Sequence, residues 1–339
     1  MWIAFLMIFF MFYPRIMTSQ IMWKLEKSAR MLEEMSNRSK QFIIKEIEAK
    51  PTPMTKESVS RFFEFFVISP VPLDPYGIVR KFEHIIQEQR DRFDYFVRQV
   101  APRMDKERQA CIQMGLAGGI TLHEIAKIVR HYVELVRKTK SIQIAMILQM
   151  QLPLIERIAK AVFKGTKAMT KGNPIGDGLG PYIIASLTGS RKAKEIEEDI
   201  LMTRTKLLGR DVFLLKARGP GGRLGRPGKA VDKLVKRNKI ARIITIDAAA
   251  KLEGEKTGSL AEGVGVAMGG PGVERSYIEN IAVGKNIPLD SIIVKMSQEE
   301  AISPMRKAIK DALPAVQQAI GRSLKRIKEK QKKKKRVGW

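Results

Sequence analysis

A chain of 339 residues with 44% apolar and 29% charged side chains is long enough for two core-forming domains, which excludes disorder along its whole length. Its formal charge of +27 asks for an acidic partner, either nucleic acid or an anionic membrane surface. One cysteine, Cys111, excludes an internal disulfide and argues for a reducing compartment; all three histidines (His84, His123, His131) lie in the first half, so the second half cannot build a Ser-His-Asp arrangement by itself.

Met1 to Tyr13 carries no charged side chain, and apolar character resumes after Pro14 and Arg15 through Ile16, Met17, Ile21, Met22 and Trp23. The readings open are a transmembrane helix that reaches Trp23 with Arg15 snorkelling, an interfacial helix, a start site placed too late, or a hydrophobic helix in a core. Residues 1–23 are taken as a membrane segment. Lys24, Lys27 and Arg30 follow it and no charge precedes it, which puts the protein at the cell membrane with the bulk of the chain on the cytoplasmic side.

Residues 24–164 read as a helical region. Ile21, Leu25, Ala29, Leu32 and Met35 recur at helical spacing until Pro51 and Pro53, and a loop marked by Pro70, Pro72 and Pro75 follows a Phe-rich segment. Phe82, Ile85, Ile86, Phe93, Phe96, Val97 and Val100 then keep one helical face apolar. Thr121-x-x-Glu124 has the form of a capping box opening a long helix, which Pro153 should bend or stop.

Residues 165–318 shift toward glycine and β-branched side chains. Strands are expected at 211–216, 241–247, 263–268 and 291–296, and helices at 182–190, 194–207, 229–237, 273–283 and 298–313. Such alternation predicts an α/β domain of three layers around a mostly parallel sheet. Of its three glycine-rich loops, none carries the phosphate-binding Gly-x-x-x-x-Gly-Lys pattern. The middle one holds Arg218, Arg223 and Arg226, an anion or nucleic-acid site if not a solvated basic loop.

Two aspartates stand out. Asp177 lies in the turn Gly172-Asn173-Pro174-Ile175-Gly176-Asp177-Gly178-Leu179-Gly180-Pro181, ahead of an apolar helical pattern, and Asp247 ends the run Ile243-Ile244-Thr245-Ile246. In an open α/β sheet, ligand-facing residues collect at strand carboxyl ends. These turns, together with Ile246-Asp247-Ala248, resemble the paired motifs of the germination proteases and, more distantly, the hydrogenase maturation proteases, of phosphorylase/hydrolase-like fold. The layout also resembles an uncharacterised family of archaeal membrane-associated proteins. The protease resemblance implies Asp177 and Asp247 as catalytic residues, alone or sharing a divalent metal, and a protein or peptide substrate. Asn173, Gly178, Gly269 and Gly270 are the substrate-contacting positions it suggests. The bland alternative is that Asp177 caps its helix and Asp247 binds loop amides.

Residues 319–339 form a basic tail: Arg322 to Arg336 contains ten Lys or Arg against one Glu. Anionic lipid headgroups are the expected partner, and RNA or the ribosome, gripped through phosphates, the competitor. The functional reading is therefore a membrane-anchored aspartate-dependent peptidase or hydrolase, with a non-catalytic membrane scaffold for RNA or ribosomes as the alternative.

Overall fold

The computed structural model describes residues 2–71, 77–219, 221, 223–270 and 272–336, and the side chains of all of these except residues 3–16 and 327–336. Its first helices are α1 (Trp2–Ile47), α2 (Pro53–Phe62), α3 (Ile78–Val100), α4 (Lys106–Thr139) and α5 (Ile142–Thr170). Two compact units emerge, one from Met1–Phe65 with Gly115–Thr170, the other from Phe66–Met114 with Lys171–Trp339. The proline loop around Pro72 and Pro75 lies outside the described residues.

In the first unit, α1 presents Leu25, Ala29 and Leu32 at helical spacing to Leu122, Ala126, Val129 and Val133 of α4 and to Leu148, Leu152 and Ala159 of α5. Each fully buried Leu contributes about 1.5–3 kcal/mol relative to an exposed one. Gly115 and Gly118 let α4 approach α5 closely, since a Cβ there would fall 2.2 Å and 2.4 Å from the Oγ1 atoms of Thr170 and Thr166. Two punctuation signals behave differently from expectation. Thr121 lies inside α4 and donates its hydroxyl to the Ala117 carbonyl at 3.0 Å, so it caps nothing. Pro153 lies inside α5 without ending it, on an exposed side of the helix.

The expected membrane segment is overturned: among the described residues, no helix is long and apolar enough to cross a membrane. Completing a span requires residues 16–23, and these are part of the 46-residue amphipathic α1. Ile21 is buried in the bundle core, with Met17 and Met22 packed against it, while Trp23 on the opposite side is 65% exposed. A helix whose apolar stripe is already engaged by neighbouring helices has no all-round apolar surface for lipid. The side chains of residues 3–16 lie outside the described residues. The assignment to the cell membrane with a cytoplasmic bulk loses its basis with the segment.

The second unit adds a 3₁₀ turn at Gly176–Gly178, α6 (Leu179–Thr188), β1 (Lys194–Glu197), β2 (Ile200–Leu207), β3 (Arg210–Ala217), α7 (Pro227–Arg237), β4 (Ile243–Ala250), β5 (Leu260–Val264), α8 (Val273–Gly284), β6 (Leu289–Met296), α9 (Gln298–Ile302), α10 (Lys307–Lys310) and α11 (Leu313–Arg336). The three-layer, mostly parallel α/β domain is not what forms. Among the described residues, the strands form two separate three-stranded sheets, ordered β1-β2-β3 and β4-β6-β5. The first is wholly antiparallel, and in the second only β4 and β6 run parallel.

The physical reasons are local. Residues 194–207, expected as a helix, become a hairpin because Asp199 takes φ +59° between β1 and β2, after which Thr203 and Thr205 alternate into the interior. Leu208 and Gly209, at φ +50° and +72°, then close β2 onto β3 as a two-residue turn of the type hairpins favour. Between β4 and β5 only residues 251–259 intervene, without a helix, whereas a parallel return needs about a dozen residues or more. Strand β5 accordingly lies antiparallel to β6. Ile244, Ile246 and Ala248 of β4 pack toward α6 and α11, while Ile243 on the other face meets Val231 of α7 and Ile278 of α8.

Candidate active site

The period-2 alternation of β4 sends Thr245 and Asp247 to one face and Ile244, Ile246 and Ala248 to the other. Segment 267–269, which follows β5, runs along the Thr245 and Asp247 face. The Ala267 N–H donates to Thr245 Oγ1 at 2.9 Å and the Gly269 N–H to Asp247 Oδ2 at 2.7 Å. Asp247 Oδ1 accepts the N–H of Ala248 at 2.8 Å. Two backbone donors thus hold the carboxylate in one orientation.

Asp177 comes to the same place by close backbone contacts. Ile175 bridges Pro304, Gly176 donates to the Ser303 carbonyl at 3.0 Å, and Met305 donates to the Pro174 carbonyl at 3.0 Å. A Cβ at Gly176 would fall 2.2 Å from the Glu300 carbonyl oxygen, and one at Gly180 2.6 Å from that of Ile246. Only glycine allows these approaches, and the second presses the start of α6 onto β4 at the residue before Asp247.

The electrostatics follow from this placement. Asp177 is exposed, and the protein packed around its carboxyl raises it above the ordinary aspartate value. It caps nothing: α6 has no side-chain cap, and Asp177 has no hydrogen-bond partner among the described residues. Burial also pushes Asp247 up. The amides of Ala248 and Gly269 pull the other way, and the nearby charge of Asp177 adds to the rise. No cation contributes to either shift. Burial and like charge therefore act in the same direction on Asp247, against its two amide donors.

The other residues singled out from the sequence divide. Gly178 adjoins Asp177 in the 3₁₀ turn, and Gly269 and Gly270 lie in the loop over Asp247. Asn173 is exposed and touches neither carboxylate through any hydrogen bond. The three arginines face acids of their own unit: Arg223 pairs with Asp199 at 2.7 Å, Arg226 with Glu198 at 2.9 Å, and Arg218 with Glu195 at 3.3 Å and Glu107 at 3.4 Å. They staple their glycine-rich loop. Among the described residues, no group of three or more His, Cys, Asp or Glu side chains is arranged to hold a metal ion.

Sequence reasoning passed over Thr245, whose position two residues before Asp247 on a strand was the available signal for a shared face. It also passed over Glu274, a further acid raised by burial, which accepts the Gly228 N–H at 2.7 Å at the start of α7. Nothing local announces that partnership across 46 residues.

Comparison with protein families gives two adjoining matches. Residues 1–172 match the N-terminal domain of "Protein of unknown function (DUF1512)", and residues 175–338 match "Domain of unknown function (DUF1512) C-terminal". The chain belongs to the DUF1512 family. No curated protein and no solved structure matches it. Asp177 and Asp247 both fall within the DUF1512 C-terminal domain. The N-terminal family domain supplies residues to both compact units: α3, within Phe66–Met114, joins the second, where Arg90 donates to the Gly225 carbonyl at 3.2 Å and Glu83 accepts the Tyr277 hydroxyl at 2.5 Å.

Proposed function

We propose that this DUF1512 protein is a hydrolase in which Asp177 and Asp247 share a proton and activate water, with peptide bonds as the substrate class. The reading rests on two acids seventy positions apart whose segments are pressed together where Gly180 meets the Ile246 carbonyl, near enough for the charge on Asp177 to raise Asp247, and neither of which pairs with a cation among the described residues. In such a pair one carboxylate takes a proton from water while the other, protonated, donates to the carbonyl under attack. Asp247, held by two amides that favour its charged form, is the base; Asp177, with no hydrogen bond, keeps the proton. The amides of the glycine-rich loop stand beside the base, where backbone donors stabilise a developing oxyanion. The likeness of the two turns to the germination proteases supports peptide over other substrates. An RNA or ribosome scaffold finds less support, since Arg218, Arg223 and Arg226 are spent on internal ion pairs; most of the basic tail lies outside the described side chains.

The test is hydrolysis of fluorescently labelled unfolded casein by the full-length protein across pH 4–8, beside Asp177→Asn and Asp247→Asn. Loss of activity in both variants with unchanged circular dichroism is expected, together with a bell-shaped profile for the native chain. Equal turnover in folded variants and native protein overturns the proposal.

A further inference from the structure

The chain that leads from β5 to α8 turns at Gly265, Gly270 and Gly272, whose φ values of +103°, +85° and +85° favour glycine. Between these turns, residues 266–269 belong to neither helix nor strand, so their backbone donors have no ladder of their own. Val266 fixes one end of this strap by its burial among Val231 of α7 and Ile278 of α8. Side chains of β4 take the next donors: Thr245 Oγ1 accepts the Ala267 N–H at 2.9 Å, and Asp247 Oδ2 accepts the Gly269 N–H at 2.7 Å.

These two bonds share a register. Residues two apart on a strand stand on one face about 6.6 Å from each other, and the donors on the strap are also two apart and run in the direction of β4, so the first bond places the second. The two differ in environment. Thr245 is buried, and its hydroxyl donates to the Asp290 carbonyl of β6 at 3.4 Å while it accepts from Ala267. The bond from Gly269 to Asp247 is exposed, where water competes for both partners and an intramolecular bond gains little unless its geometry is already fixed. The buried bond supplies that geometry.

We propose that Thr245 is a positioning residue for Asp247: its hydroxyl anchors the strap at Ala267, and the anchored strap holds the Gly269 amide on the Asp247 carboxylate. The inference rests on the reading of Asp247 as the base. Residues 266–269 carry no titratable side chain, and among the described residues Asp177 is the charged group that acts on Asp247, so the strap acts on the base through its backbone. Thr245→Val keeps the shape and removes the acceptor, which leaves the Ala267 N–H without its partner. Thr245→Ser keeps the hydroxyl.

The test is amide hydrogen exchange in the full-length protein, ¹⁵N-labelled at glycine in one sample and at alanine in another. Gly269→Ala and Ala267→Gly identify the two signals by removing them. Protection of the Gly269 amide should fall at least about ten-fold in Thr245→Val and stay within about three-fold of native in Thr245→Ser. On labelled casein, kcat should fall at least about ten-fold in Thr245→Val with KM within about two-fold, and Thr245→Ser should restore it. Should Thr245→Val not fold, the native chain decides: Gly269 must be no better protected than Ala267, because opening of the anchor releases both. Native-like protection or kcat in folded Thr245→Val, failure of Thr245→Ser to rescue, or better protection at Gly269 than at Ala267 would each overturn the assignment. A native chain that cleaves no casein sinks the hydrolytic reading instead, and exchange alone then judges whether Thr245 holds the strap on Asp247.

Discussion

Two pairs of acids, Glu26 with Glu64 in the helical unit and Asp177 with Asp247 in the other, live by opposite rules. In the helical unit they face cations: the Arg130 guanidinium, helped by Arg30 and Arg137, holds Glu26 below the usual carboxylate range, and hydrogen bonds from Lys127 and His123 bring Glu64 down to about 2. In the other unit neither Asp177 nor Asp247 pairs with a cation among the described residues, Asp247 accepts two backbone amides, and both are raised. The first arrangement links helices, since Arg130 of α4 reaches both Glu26 and Glu33 of α1. The second sets an acid held by two amides beside one with no hydrogen-bond partner among the described residues, and acids raised by burial in this way are candidates for chemistry.

The contrast breaks most visibly in activity. Asp247→Asn removes the proposed base and should lower peptide hydrolysis by about 100-fold or more, read from initial rates on labelled casein. Next in size is Gly176→Ala, which drives a Cβ onto the Glu300 carbonyl and should cost about 1–3 kcal/mol in chemical denaturation while shifting Asp177 away from its partner. Glu26→Gln should cost about 1 kcal/mol at pH 7, a modest figure because two of its three arginine partners are more than half exposed to solvent. The folded pKa of Glu26 is depressed, so this contribution exists above its ordinary value of 4.5 and disappears as pH falls through the lowered one; the melting temperatures of variant and native protein should converge in acid.

The smallest effect has the opposite sign and sharpens the comparison most. The folded pKa of Asp177 is raised, so its contribution to stability is fully present below the ordinary value of 3.8 and is lost as pH rises through the raised one. Asp177→Asn should therefore melt slightly higher than the native protein at pH 7, with no difference below pH 3.8. In the same variant ¹³C-carboxyl NMR should show Asp247 titrating at lower pH, because a like charge has gone. An unmoved Asp247 would mean that the two carboxylates do not interact.

Much of the element pattern was legible. The amphipathic face of α1, the strands β3, β4 and β6, and helices α7 and α8 follow from periodicity and stand near the expected positions. The misreadings share one cause, that short apolar runs do not declare their period. Residues 194–207 have a helix-compatible composition, and only the turns at Asp199 and Leu208-Gly209 force them into strands. Met1 to Tyr13 with residues 16–23 looks like a lipid-facing run until α4 and α5 supply the surface that Ile21 and Leu25 are buried against. The candidate site was legible as two aspartates at turns, but not as a pair.

By itself the sequence determined which residues are acids, where the backbone turns, and which faces of helix and strand are apolar, because these depend on side-chain chemistry and spacing within a few residues. Only the tertiary structure decided that Asp177 approaches Asp247, that the arginines of one glycine-rich loop are consumed by a hairpin of acids, and that Thr245 accepts the Ala267 amide. Desolvation and charge coupling fall off over a few ångströms in space, and residues that interact here are 23 to 70 positions apart along the chain.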